Sequence, residues 1–253
     1  MIKTKILGHR GAMGSAPENT LPAFKKAIAD SADGVEFDVQ LTADGVPVVI
    51  HDERIDRTTD GKGPVNELSA REIKKLDAGS FFASEYVDTG LPLLTEVLEV
   101  IQDLDIINLE LKNSNIRYEG MEEKVIELTK EFGIFNKTIF SSFNHYSLKK
   151  VKEIEPEAKT GVLYMAGIYQ PWEYAKKLGA EAIHPFYAAV VPEIVEKCHS
   201  QGLEVNVFGV NGDETIRQLL MMNVDAIITD YPARAREILD EINSKSSQGK
   251  RRW

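Results

Sequence analysis

Gly34-Val35-Glu36-Phe37-Asp38-Val39 sets two carboxylates, two residues apart, into an otherwise apolar run. In a strand, residues at that spacing point to one face, so Glu36 and Asp38 project together. Burying two like charges without a partner costs too much for packing alone, which argues for functional use. Other apolar runs carry polar residues to the same end. One closes at His9, another at His51, and a third reaches Glu110, with Lys112 two residues on and on the same face. Three carboxylates, a lysine and two histidines make a constellation for metal binding and proton transfer, and its richest precedent is phosphoryl chemistry.

Short β-rich runs recur along the whole chain, at 5–9, 34–39, 46–51, 106–111, 138–142, 160–163, 181–184, 204–208 and 226–229. Helical sequence lies between them, at 20–29, 94–102, 120–131, 146–153, 172–178, 192–201, 213–221 and 232–242. Thr20 is placed to cap the first of these helices, with Pro22 in its first turn. Repeated β-α alternation implies a parallel sheet. The count approaches that of a (β/α)8 barrel if 34–39 and 46–51 are neighbours around the turn at Asp44-Gly45. Strand after strand ends in a polar residue: His9, Asp38, Glu110, Ser141 and Ser142, His184, Asn206, then Thr229 and Asp230. A barrel gathers such ends around one mouth, whereas a doubly wound sheet collects its ligands at a single switch point. The expected fold is therefore a (β/α)8 TIM barrel formed by residues 1–242. A small insertion follows the second strand at about 52–90, with a short helix at 70–76, and a polar tail at 243–253 carries the charge run Lys250-Arg251-Arg252.

A chain of 253 residues suits one such barrel, and 43% hydrophobic with 28% charged residues supports a real core. The net charge of -10 argues against nucleic acid or an anionic membrane as a general partner. Cys198 is the only cysteine, which rules out an internal disulfide and a thiolate metal cluster and makes a core thiol the expectation. His9 lies too close to Met1 for a signal peptide to fit between them, and no apolar run is long enough to span a membrane; a cytoplasmic enzyme is expected unless a leader precedes this sequence.

Glu36, Asp38 and Glu110 offer only oxygen, which suits a hard divalent cation, Mg²⁺ or Ca²⁺, better than Zn²⁺. His9 and His51 are suited to proton transfer near neutral pH. A lone strand-end histidine is more often structural, so His184 is left open, and His145 and His199 read as helix-surface residues. Arg10 offers a planar fork of donors to a phosphate, provided that the backbone turns at Gly11. Lys112 supplies a point charge, or alternatively a Schiff-base amine. Asn19 can brace the metal shell or cap the helix, and capping leaves Glu18 unexplained.

These residues make the chain similar to the glycerophosphodiester phosphodiesterase family. The matching text is His9-Arg10-Gly11, Pro17-Glu18-Asn19-Thr20, Glu36-Phe37-Asp38-Val39, His51-Asp52, Arg57-Thr58-Thr59-Asp60-Gly61, Glu110-Leu111-Lys112, Ser141-Ser142-Phe143 and Thr229-Asp230-Tyr231-Pro232, in family order. The resemblance implies a TIM barrel that hydrolyses small glycerophosphodiesters to sn-glycerol 3-phosphate and an alcohol. It implies a divalent metal on Glu36, Asp38 and Glu110, acid-base roles for His9 and His51, and phosphate contacts from Arg10 and Lys112. We take His9 as the base and His51 as the acid, an assignment that can be reversed. The family's Trp-Thr-Val-Asn run reads Phe208-Gly209-Val210-Asn211 here, leaving Phe208 as the substrate-facing aromatic wall. A lysophospholipase D-type activity is the alternative, with Phe81, Phe82, Tyr86, Tyr164 and Tyr187 available to line an apolar groove. A non-catalytic phosphate-binding barrel is a third, and it ought to have lost one of the residues that are all present.

Overall fold

The β-α rhythm builds a closed barrel. The computed structural model describes residues 2–249. The strands are β1 (Lys5–His9), β2 (Gly34–Leu41), β3 (Pro47–Val49), β4 (Ile106–Leu111), β5 (Thr138–Ser142), β6 (Lys159–Tyr164), β7 (Ala182–Pro185), β8 (Glu204–Val207) and β9 (Ala226–Thr229). All neighbours pair in parallel except β2 and β3, and β1 pairs with both β2 and β9, which closes the ring of parallel strands. Setting β3 aside, the parallel strands are those of a (β/α)8 barrel, as expected.

The helices α1 (Leu21–Ala29), α3 (Leu94–Ile101), α4 (Met121–Glu131), α5 (His145–Ile154), α6 (Pro171–Leu178), α7 (Pro192–Ser200), α8 (Asp213–Met221) and α9 (Pro232–Gly249) surround the ring, whereas α2 (Ala70–Ile73) lies in the excursion between β2 and α3. Pro22 does sit in the first turn of α1, but Thr20 makes no side-chain cap: its hydroxyl donates to the Pro17 carbonyl at 2.6 Å. The last helix runs past the expected end at Ile242 to Gly249. The expected basic end at Lys250, Arg251 and Arg252 lies outside the described residues. Among the described residues no helix is long and apolar enough to cross a membrane.

Outward-facing strand residues meet the helices in two large cores. One joins Phe37, Val39 and Leu109 to Phe24, Val97 and Leu98. The other packs α6 to α9 on β6 to β9 and contains Cys198, whose thiol is pushed up to about 12 by burial. Between β2 and α3 the chain leaves the barrel. Asp44 and Gly45 turn it back, as the Thr42 N–H donates to the Val46 carbonyl, and β3 pairs antiparallel with β2. The excursion then closes a small core of its own from Val48, Ile50, Ile55, Val65, Ile73 and Leu91.

Candidate active site

Strand register sets the centre of the site. His9 lies beside Glu36, Glu36 beside Asn108, and Asp38 beside Glu110. Neighbours in register point the same way, so these side chains enter the barrel together near the C-terminal ends of its strands. Glu36, Asp38 and Glu110 are buried and bring carboxylate oxygens within 4.8 Å of one another. Burial, then the charges of Asp38 and Glu110, raise Glu36 well above the usual carboxylate range. Burial likewise raises Glu110, to about 7, with Lys112 opposing. Asp38 goes the other way: burial alone would raise it, but Arg10, Lys112 and His51 together hold it far below the usual range. Its Oδ1 is buried with no hydrogen-bond partner. Converging oxygen donors that repel one another, one of them orphaned, fit a hard divalent cation.

Arg10 enters because the backbone turns one residue earlier than expected. Arg10 itself has φ 49° and Gly11 has φ 82°. A Cβ on Gly11 would stand 2.5 Å from the Ala23 carbonyl carbon, so both the conformation and the space require glycine. The turn brings Arg10 Nε within 3.4 Å of Asp38 Oδ2 and lets Nη1 donate to Glu18 at 2.7 Å. Asn19 donates its amide to Asp38 at 2.9 Å, so it braces the carboxylate set. Lys112 Nζ lies 2.9 Å from Glu110, 3.1 Å from His51 Nε2 and 3.7 Å from Asp38. Burial works to lower its pKa, but Asp38 and Glu110 outweigh that and raise it. A lysine held as ammonium is the opposite of a Schiff-base nucleophile, so that alternative is dropped.

Each of the two histidines has a carboxylate on Nδ1: Asp230 lies 2.6 Å from His9, and Asp52 lies 2.6 Å from His51. Asn211 in turn donates to Asp230 at 2.6 Å. Burial first, then Arg10 and Lys112, lower the His51 pKa, while Asp38 opposes them. Reading the residues singly missed Asp52, Asp230, Asn211 and Arg57 as parts of the site. The signals were present: Asp52 directly follows His51, and Asp230 is last in the series of polar strand ends. His184 is structural. It is fully buried between the amides of Asn108 and Asn206, and burial pushes it down to about 3.

The site opens into a cavity of about 240 Å³. His9, Arg10, Glu36, His51 and Glu110 form its charged side, and Phe143, Leu163, Phe186, Phe208 and Ile228 its apolar side. Phe208 anchors that wall, 6.0 Å from Phe143 and 5.5 Å from Phe186 between ring centres. The aromatics expected to line a groove do not line this cavity: Tyr164 lies in the core, the Tyr86 hydroxyl donates to the Ser15 carbonyl, and Phe81, Phe82 and Tyr187 are exposed. A larger cavity, about 580 Å³, opens at the other end of the barrel among Lys3, Lys5, Lys159 and Asp225, away from the constellation.

The profile of the Glycerophosphoryl diester phosphodiesterase family matches residues 9–234. The chain belongs to that family. It is accordingly a phosphoric diester hydrolase, a glycerophosphodiester phosphodiesterase by class. A glycerophosphodiester phosphodiesterase from Caldanaerobacter subterraneus subsp. tengcongensis is 45% identical over 232 residues, covering 91% of this chain and 96% of the relative. One from Bacillus altitudinis is 43% identical, covering 94% and 99%. Among solved structures, an Oleispira antarctica phosphodiesterase in complex with the product sn-glycerol-3-phosphate matches with a TM-score of 0.86 at 33% identity, covering 93% of this chain and 96% of that one.

Proposed function

We propose that the enzyme hydrolyses glycerophosphodiesters to sn-glycerol 3-phosphate and a free alcohol, with a divalent cation, Mg²⁺ or Ca²⁺, held by Glu36, Asp38 and Glu110. The observation that carries this reading is one cavity whose charged side, with Arg10, two carboxylate-backed histidines and Glu36 and Glu110 of the three convergent carboxylates, faces an apolar wall, with Asp38 and Lys112 directly behind that charged side. The product complex of the Oleispira antarctica phosphodiesterase supports the choice of product. When bound, the cation supplies positive charge against the phosphate and the charge that develops on it. Arg10 and Lys112 hold the phosphate oxygens and neutralise them further. His9 takes onto Nε2 the proton of the attacking oxygen, from water or from the substrate's own glycerol hydroxyl, as that oxygen bonds to phosphorus, and Asp230 on Nδ1 orients the ring and stabilises the imidazolium that forms; attack by the glycerol hydroxyl gives a cyclic phosphate that water then opens to sn-glycerol 3-phosphate. His51 gives a proton to the departing alkoxide as its bond to phosphorus breaks. Its lowered pKa makes the imidazolium a stronger donor, present in smaller fraction at neutral pH. The apolar wall around Phe208 packs on the carbon skeleton of the substrate.

Glycerophosphocholine turnover, read as glycerol 3-phosphate, tests the proposal. His9→Ala and His51→Ala are expected to lose about 10²- to 10⁴-fold in kcat. Full activity in either variant removes that histidine from the mechanism. A lysophospholipase D-type reading would use the same centre, and turnover of lysophosphatidylcholine well above that of glycerophosphocholine would favour it. The substrate is a small molecule, no nucleic acid partner is expected at this net charge, and the cytoplasmic location expected above is for cell fractionation to decide.

A further inference from the structure

Arg57, on the loop after His51, joins the two sides of the charged site. Its Nη1 and Nη2 donate to Glu18 at 2.6 and 2.8 Å, and its Nε and Nη2 donate to Asp52 at 2.7 and 3.0 Å. Both carboxylates have a second obligation. Glu18 accepts from Arg10 at 2.7 Å, and Asp52 holds His51 Nδ1 at 2.6 Å. An unbroken chain therefore runs Arg10, Glu18, Arg57, Asp52, His51, from the phosphate contact to the proton donor. The loop that carries Arg57 is fixed from below. Ile55 and Thr58 are buried, the Ile55 N–H donates to the Gly63 carbonyl at 3.0 Å, and the Thr59 hydroxyl donates to the Ile55 carbonyl at 2.8 Å.

We propose that Arg57 is a positioning residue that sets the spacing between the phosphate-binding Arg10 and His51 by gripping Glu18 and Asp52 in two bidentate forks. The inference rests on the hydrolytic reading of the site. A guanidinium presents two parallel donor pairs along its edges, and an ammonium cannot hold both carboxylates in that geometry. Charge alone is then insufficient. Without Arg57, Asp52 is left with His51 alone and Glu18 with Arg10 alone, and each pair drifts independently. A surface ion pair of ordinary kind would contribute little, and Arg57 is partly exposed, so the consequence belongs to geometry rather than to fold stability.

The test compares the wild type with Arg57→Ala and Arg57→Lys. On glycerophosphocholine both variants are expected to lose about ten- to a hundredfold in kcat, with KM rising as Arg10 loosens, while the urea midpoint stays near that of the wild type. Millimolar guanidinium ion is expected to restore part of the Arg57→Ala activity. Wild-type kinetics in Arg57→Ala, or full recovery in Arg57→Lys, overturns the proposal. A second readout needs no turnover: the ¹⁵N resonance of His51 Nδ1 is expected to move in Arg57→Ala, and an unmoved resonance also overturns it. Absence of glycerol 3-phosphate release by the wild type would count against the hydrolytic reading, and the His51 resonance would still decide the coupling.

Discussion

At the scale of single residues, the site sets opposite pulls against one another within a few ångströms. Asp38 is held ionised because Arg10 and Lys112 outweigh its burial, while burial and the charges of Asp38 and Glu110 together raise Glu36, and burial raises Glu110 to about 7 against the pull of Lys112. A cation must displace any proton that Glu36 or Glu110 carries. Metal affinity is therefore expected to weaken as pH falls through about 7, where Glu110 begins to retain its proton, with proton release on binding measurable by calorimetry in buffers of different ionisation enthalpy. pH-independent affinity would contradict this. Leaving-group chemistry tests the acid-base assignment. A diester with a p-nitrophenolate leaving group needs no general acid, so it is expected to restore much of the activity of His51→Ala and little of that of His9→Ala; the reverse pattern exchanges the roles. Glu36, Asp38, Glu110 and Lys112 were legible in the sequence because strand periodicity alone aligns them. Asp52, Asp230 and Arg57 were not legible as partners, since their contacts depend on loop paths that carry no period.

At the scale of elements, the β-rich runs and their polar ends told the barrel from an open sheet, and the turn at Asp44-Gly45 correctly made 34–39 and 46–51 neighbours. What periodicity could not tell is that β3 runs antiparallel and stays outside the ring of parallel strands. Nor could it place the first helix's entry, where Thr20 serves the Pro17 carbonyl instead of the helix. Close packing inside the ring was also hidden. A Cβ on Gly161 of β6 would stand 2.3 Å from His184 Nε2 of β7. Gly161→Ala is thus expected to cost about 1–3 kcal/mol by overpacking, whereas Gly167→Ala, where a Cβ meets nothing within 4 Å, should be nearly neutral. Equal urea midpoints for the two variants would show that β6 yields at no cost.

Over the whole molecule, one end of the barrel concentrates charge around the cavity, and beneath it His184 is buried as a neutral ring. Its pKa of about 3 in the folded state lies below the ordinary 6.5, so between those values the unfolded chain binds the extra proton. Stability is then fully present above about pH 6.5 and falls on acidification, by at most roughly 1.4 kcal/mol per pH unit from this group. Urea unfolding from pH 7 to pH 5 should show the wild type losing more than His184→Gln, and parallel losses would contradict the assignment. The central claim is hydrolysis of a glycerophosphodiester at a cation held by Glu36, Asp38 and Glu110. Its most direct test is to strip the purified enzyme with EDTA and follow glycerol 3-phosphate release from glycerophosphocholine with and without added Mg²⁺ or Ca²⁺, beside Glu110→Gln. The predicted result is loss of release on stripping, recovery with metal in the wild type and little recovery in the variant; undiminished release from the stripped enzyme would contradict it.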